Sequence, residues 1–359
     1  MRTPSTVVVT GGAGFIGSHT CVELLEHGYE LIVVDDYSNS SPRVFSRIQR
    51  TAGRPVHAVH WVDIRDRHAL SRVFDRHSVD AVVHFAAKKA VGESTRNPVE
   101  YYDTNVGGTT ALLQVMQDHG VHDLVFSSSC SIYGDADRMP LRENSPARPT
   151  NPYAASKWTC ERILSDVCRF RPEFRVLSLR YFNPVGAHPS GLLGEDPRGR
   201  PANLMPYLAQ VAIGRRESLR VFGDDYPTPD GTGIRDYIHV MDVAAAHRLA
   251  LDHVHEGTGM RVFNLGAGSG TSVLELVAAF GAACGRPIPY AVEGRRPGDV
   301  AALVADSSAV AREWGWQPKY GVAAMCRDAL RFQRLNPFGY EDSADPVAVA
   351  AGADVQTPE

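Results

Sequence analysis

The chain has 359 residues, of which 43% are hydrophobic and 22% are charged, and its formal net charge at pH 7 is −4. This length fits one large domain or two interlocked domains, and the composition is that of an ordinary globular protein. The small negative charge favours neither nucleic acid nor an anionic membrane as a partner, and no apolar run approaches the roughly 18 residues of a membrane span.

Short β-branched segments alternate with segments of helical spacing through the first half of the chain. We predict strands over residues 6–10, 30–35, 56–62, 81–85, 124–128 and 175–181. We predict helices near residues 16–27, 66–77, 97–119 and 153–170. Near-continuous apolar strands separated by helices are typical of a parallel sheet covered on both faces, which predicts an α/β fold with a doubly wound Rossmann sheet.

The composition changes in residues 183–235, which are rich in Gly, Pro and Asn and contain one predicted helix near 203–214. A helix near 241–255 and a strand at 261–265 again have the pattern of sheet elements, so we predict two interleaved domains. The predicted dinucleotide-binding domain is 1–182 with about 236–268, and the smaller α/β substrate-binding domain is 183–235 with 269–340. Residues 341–359 lack helical caps and aromatic anchors, which predicts a disordered tail.

A glycine-rich turn, in VVVTGGAGFIGSH, joins the first predicted strand to the first predicted helix with the spacing Gly11-x-x-Gly14-x-x-Gly17. Such glycines permit a tight turn, and the helix N-terminus offers amides to a pyrophosphate. Asp35 ends the next strand, at the place where a carboxylate binds a ribose diol and repels a 2′-phosphate. The turn therefore predicts NAD rather than NADP, and a turn that serves packing alone is the alternative.

A tyrosine and a lysine lie one helical turn apart in NPYAASK, at Tyr153 and Lys157. The chain has only four lysines and 13 tyrosines, so this spacing is uncommon by chance. Ser129 ends a predicted strand, and chemistry in a doubly wound sheet lies at the carboxyl ends of strands. A free tyrosine has a pKa of about 10, which a nearby ammonium lowers. We therefore predict Tyr153 as a general base assisted by Lys157 and Ser129, although a strand-end serine also commonly caps backbone.

Six scattered cysteines without a CxxC pair predict reduced thiols. The 14 histidines form neither an HExxH motif nor a Cys/His cluster, so we predict no metal site. The N-terminal segment has no long apolar core of the signal-peptide kind, which leads us to expect a cytoplasmic protein.

Several segments resemble the extended short-chain dehydrogenase/reductase family, namely TGGAGFIGSH, the Ser129/Tyr153/Lys157 set and YFNPVGAHPSG. Within that family, HFAAKKAVGES, NLMPYLAQVAIGRR, GDDYPTPDGTGIRDYIHVMDVA and FNLGAGSG resemble the nucleotide-sugar 4-epimerases. The resemblance covers about residues 5–340. It implies an NAD held throughout the cycle, a UDP-hexose substrate and a homodimer.

The activity that this resemblance implies is reversible C4 epimerisation of UDP-glucose and UDP-galactose. In such enzymes the base takes the proton of the sugar 4-hydroxyl while hydride leaves C4 for NAD. The resulting 4-keto sugar turns over in the pocket, and hydride returns to its opposite face.

The resemblance also assigns site residues by position. Besides Gly11, Gly14, Gly17, Tyr153 and Lys157, the residues expected to line NAD are Phe15, Ile16, Asp35, Asn39, Asp63, Ile64, Phe85, Lys89, Asn105 and Phe182. Those expected to hold the UDP-sugar are Ser129, Asn183, Asn203, Leu204, Phe222, Arg235, Arg296, Asp299 and Leu303. The two arginines suit a pyrophosphate because a guanidinium binds such oxygens in a bidentate manner.

Other activities remain as alternatives on the same fold. Leu303 is at a position that faces the 2-substituent of the sugar in this family, so UDP-N-acetylhexosamine or UDP-pentose is an alternative main substrate. Dehydratases of the family carry an Asp-Glu pair after the strand-end hydroxyl. This chain has Cys130 and Ser131 at those positions, which argues against dehydration. The UDP-binding segments argue against a simple alcohol dehydrogenase. A non-catalytic NAD-binding protein has no need of the Tyr/Lys pair.

Overall fold

The computed structural model describes residues 5–136, 138–199, 201–296 and 298–342. Its strands are β1 Thr6–Thr10, β2 Glu30–Asp35, β3 Ala58–Trp61, β4 Ala81–His84, β5 Asp123–Ser129, β6 Arg175–Tyr181, β7 Asn183–Val185, β8 Leu219–Phe222, β9 Ile234–Arg235, β10 Tyr237–His239, β11 Gly259–Leu265, β12 Thr271–Ser272, β13 Tyr290–Glu293 and β14 Ala302–Leu303. Its helices are α1 Phe15–Glu26, α2 Val44–Ala52, α3 Arg67–Arg76, α4 Val91–Ser94, α5 Pro98–Tyr102, α6 Gly108–Asp118, α7 Pro152–Phe170, α8 Leu204–Ala212, α9 Val240–His253, α10 Val273–Cys284, α11 Ser308–Trp314 and α12 Val322–Leu335.

Seven of these strands form one parallel sheet in the order β11-β6-β5-β4-β1-β2-β3. The chain runs outward in one direction from β1 to β3 and in the other from β4 to β11, so the order reverses between β1 and β4. Ligands of open α/β sheets bind at such a reversal, beyond the carboxyl ends of the strands. The predicted doubly wound α/β fold is confirmed.

Helices cover both faces of this sheet. Alternate strand residues point to opposite sides, so they contribute to two separate buried cores. On β1, Val7 and Val9 join a core that includes Leu25 of α1 and Leu251 of α9. Val8 joins the opposite core, which includes residues of α3, α6 and α7. A third core packs α8, α10 and α12 against β8. The apolar strands predicted from the sequence are buried on both faces for this reason.

Several element boundaries differ from the prediction. The edge strand β3 is shorter than the predicted 56–62, and the predicted helix 97–119 is divided by a π-helical turn over Asp103–Gly107. Helices α2, α10, α11 and α12 were not predicted, although α10 begins with a capping box between Ser272 and Glu275. Of the predicted disordered tail, residues 341 and 342 belong to a short 3₁₀ turn, and the rest lies outside the described residues.

A buried ion pair fastens α7 to the sheet. Arg180 on β6 donates to both carboxylate oxygens of Glu161 on α7, at 2.9 and 2.5 Å, and both side chains are buried. The Ser128 and Ser178 hydroxyls donate to the same carboxylate at 2.5 and 3.0 Å. Arg180 also donates to the hydroxyl of Tyr133 at 2.9 Å. Because every charge in this group is paired and hydrogen-bonded, α7 has one defined position on the sheet.

We expect Glu161→Ala to lower the free energy of unfolding by about 3–5 kcal/mol, because it leaves the guanidinium of Arg180 buried without its counter-charge. The measurement is the midpoint and slope of urea denaturation. The control is Asp118→Ala, which breaks a half-exposed pair with Arg67 and should cost less than about 1 kcal/mol. Equal losses in the two variants would contradict the structural role of the buried pair.

Candidate active site

The glycine turn between β1 and α1 depends on missing side chains. Gly11 has φ of +70°, and a Cβ there would lie 2.7 Å from the backbone nitrogen of Ala86. A Cβ on Gly17 would lie 2.2 Å from the carbonyl oxygen of Gly11. Gly14, the N-cap of α1, has only that Gly11 oxygen nearby, at 3.3 Å. Gly11 and Gly17 therefore serve close packing, and Gly14 lies at the N-terminus of α1, whose first backbone amides favour an anion such as a phosphate group.

Asp35, at the end of β2, contacts the same turn. Its carboxylate accepts hydrogen bonds from the backbone amides of Ala13 at 2.9 Å and Tyr37 at 3.0 Å, and from the Ser40 hydroxyl at 2.7 Å. Burial raises the pKa of this carboxyl group, and the three hydrogen bonds oppose that shift. A carboxylate has about four acceptor positions, so one remains for a ribose hydroxyl.

Asp63 and Ile64 follow β3, next to the end of β2. Asp35 and Trp61 are register partners in the two strands, which places both predicted NAD residues at the carboxyl edge of the sheet. Arg65 binds Asp63, with Nε 3.0 Å from each carboxylate oxygen, and this contact lowers the pKa of Asp63. Ile64 is buried.

The remaining predicted NAD residues of this region lie around the glycine turn and the end of β4. Phe15 and Ile16 are the first residues of α1, and the ammonium group of Lys89 lies 6.0 Å from the centre of the Phe15 ring. Phe85 directly follows β4 and is half-buried, whereas Asn39 is exposed in the segment between β2 and α2.

Asn105 acts on the backbone that carries Lys89. Its amide oxygen accepts from the backbone nitrogen of Lys88 at 2.8 Å, and its amide nitrogen donates to the Lys88 carbonyl at 3.0 Å. The same nitrogen donates to the Ser156 hydroxyl at 2.9 Å. Both amide hydrogens are thus used within the protein, and the segment after β4 is held in place.

Ser129, Tyr153 and Lys157 converge at the carboxyl end of β5. The side chain of Ser129 lies beside the Tyr153 hydroxyl and favours its ionised form, and Lys157 donates to the Ser127 carbonyl at 2.8 Å. Ser129 also accepts from the backbone nitrogen of Ser131 at 3.2 Å. The hydroxyl of Ser129 therefore both caps the following turn and contacts the proposed base, so the two interpretations of this serine are compatible.

Burial opposes the ionisation of both catalytic candidates. It raises the pKa of Tyr153 to about 12, against the opposing effect of the Ser129 side chain. It lowers the pKa of Lys157 to about 8. Near neutral pH the phenol is therefore protonated and the ammonium largely retained. The tyrosine becomes a base only when a further positive charge, such as a nicotinamide ring, lies beside it.

Leu303 and Arg235 lie side by side in neighbouring strands. Arg235 on β9 is the register partner of Leu303 on β14. The Leu303 side chain, 8% exposed, belongs to an apolar cluster with Cys130, Tyr133 and Phe182. Since Cys130 follows Ser129, Leu303 lies near the carboxyl end of β5. The Leu303 side chain also packs in this apolar cluster.

Three of the predicted UDP-sugar residues lie together at one surface. The guanidinium of Arg296 lies 4.6 Å from the centre of the Phe222 ring. Its Nε donates to Asp299 at 3.0 Å. Arg296 is about half exposed, and among the described residues only its Nε has a hydrogen-bond partner.

The other predicted UDP-sugar residues lie on β7 and at the start of α8. The side-chain oxygen of Asn183 is buried and has no hydrogen-bond partner among the described residues, as expected of a group that binds a ligand. Asn203 is the N-cap of α8, which begins at Leu204. Its amide nitrogen donates at 2.7 Å to Glu195, which also pairs with Lys89 at 2.9 Å.

The sequence reasoning missed two acidic residues. Glu161 is four residues beyond Lys157 and eight beyond Tyr153, so all three share one face of α7. That spacing was a usable signal. Glu195 is in GEDPRG, a segment without a recognisable local pattern, and its contacts are visible only in the folded chain.

Similar proteins identify the family of this chain. The model of the NAD dependent epimerase/dehydratase family matches residues 7–266. The chain belongs to this family. UDP-glucose 4-epimerase 2 of Arabidopsis thaliana is 51% identical over 343 residues, covering 95% of this chain and 98% of that protein. The UDP-glucose 4-epimerase of Bacillus subtilis (strain 168) is 50% identical, covering 94% of this chain and 99% of its own.

A family member of known structure extends the similarity to three dimensions. The UDP-glucose 4-epimerase of Bifidobacterium longum, solved in complex with NAD+ and UDP, is 50% identical to this chain, with a TM-score of 0.91. The match covers 93% of this chain and 100% of that one. The family predicted from the sequence is confirmed.

The described residues form neither a metal-binding group nor a helix able to cross a membrane. Among them, no group of three or more His, Cys, Asp or Glu side chains has the arrangement of a metal site. Nor does this part of the chain contain a helix with the length and apolar character required to cross a membrane.

We expect Tyr153→Phe to lower kcat for sugar epimerisation by about 10²–10⁴-fold, because only the ionisable oxygen is removed. Far-UV circular dichroism and bound NAD should be unchanged. Tyr290→Phe, at an exposed tyrosine, is the control and should retain full activity. A Tyr153→Phe enzyme with near wild-type kcat would exclude Tyr153 as the base.

Proposed function

We propose that this protein catalyses the NAD-dependent, reversible C4 epimerisation of UDP-glucose and UDP-galactose through a 4-keto sugar. The observation that carries this proposal is the meeting of Ser129, Tyr153 and Lys157 at the end of β5. It occurs in a chain that is about half identical, over nearly its whole length, to UDP-glucose 4-epimerases.

The proposed NAD site is the crevice beyond β1, β2 and β4. The N-terminus of α1 at Gly14 suits the pyrophosphate, and the remaining acceptor position of Asp35 suits a ribose hydroxyl. When bound, NAD supplies the acceptor of the hydride from C4 and its later donor. We assign the dinucleotide-binding domain to residues 1–182 with about 236–268.

Tyr153 moves the proton at the sugar 4-oxygen. In the oxidation its phenolate oxygen accepts that proton, and in the reduction the resulting phenol returns it, with the Ser129 side chain beside it. Lys157, whose ammonium donates to the Ser127 carbonyl, keeps a positive charge on the same face of α7. Because Tyr153 is buried, water is kept from the reacting atoms.

The UDP part of the substrate is assigned to residues 183–235 and 269–340. Arg235 and Arg296 would bind the pyrophosphate, and the unpartnered oxygen of Asn183 would accept from the sugar. Phe222 offers an aromatic surface beside Arg296.

We also propose that the protein is a cytoplasmic homodimer. Val99 is 80% exposed and Tyr102 is 41% exposed, and they are three residues apart on one face of α5. Exposed apolar residues that share a helix face favour a protein partner. Nothing in the net charge favours nucleic acid or a membrane as partner.

Dehydration is disfavoured at this site. An elimination requires an acid next to the strand-end hydroxyl, and that position is Cys130. Burial raises the pKa of the Cys130 thiol to about 12, so it retains its proton and is a poor acid.

The test is to incubate the purified protein with UDP-galactose without adding NAD. We expect UDP-glucose to form, and NAD to be present in the supernatant after denaturation, because the cycle regenerates its oxidant. Turnover that requires a stoichiometric supply of NAD and accumulates NADH would overturn the proposal.

We expect substitutions at Leu303 to change the substrate range, because side-chain volume there limits the sugar 2-substituent. Leu303→Ser should raise, and Leu303→Tyr should lower, kcat/KM for UDP-N-acetylglucosamine relative to UDP-glucose. A difference of about 1–3 kcal/mol would change this ratio about 10–200-fold.

The melting temperature provides the control for Leu303, because this side chain also packs against Phe182 and Tyr133. A purely structural residue would lower stability and affect both substrates alike. An unchanged ratio would therefore remove Leu303 from the site.

A further inference from the structure

Glu195 joins two regions of the proposed site through one oxygen atom. Its Oε1 lies 2.9 Å from the ammonium nitrogen of Lys89 and 2.7 Å from the amide nitrogen of Asn203. Its side chain is only 8% exposed. A carboxylate with so little access to water needs a counter-charge and donors, and these two residues supply them.

The two partners of Glu195 belong to different ligands in the proposed function. Lys89 lies in the segment that follows β4, on the dinucleotide side, and Asn203 caps α8 on the nucleotide-sugar side. An ammonium group has three donors and a primary amide has two. Lys89 and Asn203 each donate one hydrogen bond to Glu195, which restricts the directions of their remaining donors.

The backbone that carries Glu195 is itself held. The backbone nitrogen of Gly194 donates to the Tyr340 hydroxyl at 3.1 Å, and that hydroxyl donates to the Gly194 carbonyl at 2.9 Å. The backbone nitrogen of Tyr340 donates to Asp196 at 2.8 Å. The residues on both sides of Glu195 are therefore fastened to one tyrosine near the end of the described chain.

The backbone next to Lys89 is held as well, since the amide of Asn105 binds both the backbone nitrogen and the carbonyl of Lys88. The ion pair of Glu195 and Lys89 thus connects two backbone segments that are each already fixed. The Cα positions of both residues are therefore set before the ion pair forms, so that only the two side chains have to be ordered.

We propose that Glu195 is a positioning residue. It fixes the orientation of the donor groups of both Lys89 and Asn203, and so supports the binding of both NAD and the nucleotide sugar. This inference rests on the proposed function for the identity of the two ligands. The carboxylate itself need not touch either of them.

Glu195→Gln in the full-length, NAD-containing protein tests the inference. The side chain keeps its shape and loses its charge, so it no longer compensates Lys89. We expect the Kd for UDP, measured by calorimetry, to rise about tenfold, in line with the loss of a charged hydrogen bond. We expect NAD to dissociate faster by a similar factor and the KM for UDP-galactose to rise more than kcat falls.

Two further variants give the comparison. Glu217→Gln changes an exposed carboxylate and should leave both ligand affinities unchanged. Lys89→Met combined with Glu195→Gln should be less harmful than the product of the single effects, because the two residues act as a pair.

The inference is overturned if Glu195→Gln weakens only one ligand, weakens neither, or tightens UDP binding. The last result would mean that repulsion between the carboxylate and phosphates dominates. A lower melting temperature with unchanged affinities would show a purely structural role. Because UDP affinity and NAD release do not depend on turnover, a wild-type protein that fails to epimerise UDP-galactose would count against the proposed function alone.

Discussion

The position of α7, which carries Tyr153 and Lys157, depends on the buried ion pair between Glu161 and Arg180. Tyr153, Lys157 and Glu161 follow one another at intervals of four residues on α7, so whatever fixes Glu161 also fixes the face that carries the other two. The carboxylate receives Arg180 and two serine hydroxyls from β5 and β6. A rotation of α7 by one residue would separate these charges in a place without water, at a cost of several kcal/mol.

The same burial that positions Tyr153 and Lys157 also opposes the ionisation of both side chains. The pKa of Tyr153 is raised to about 12 and that of Lys157 is lowered to about 8, both mainly because water is excluded. The protein groups alone therefore do not yield a phenolate at neutral pH. A positive charge beside Tyr153 would favour the phenolate, so the base role proposed for this residue depends on the bound cofactor.

The interleaved course of the chain brings distant segments to the same edge of the sheet. Asp236, between β9 and β10, accepts from the backbone nitrogens of Ala267 at 2.7 Å, Gly268 at 3.0 Å and Ala305 at 3.0 Å. Burial raises its pKa to about 6. This one carboxylate holds the segment after β11 and the segment after β14 next to Arg235.

The sequence by itself determined the features that depend on short spacing. Alternating apolar strands and helices predict the doubly wound sheet, the glycine spacing predicts the turn, and the interval of four residues places Tyr153 and Lys157 on one face of α7. These follow from the repeat of the backbone, which is the same in every protein. Only the tertiary structure decided that Lys157 donates to Ser127, that Leu303 packs with Cys130 at the end of β5, and that Glu195 meets a lysine 106 positions away. Such contacts join segments whose separation in the chain carries no periodic signal, and they form only when the sheet and both sets of loops have packed.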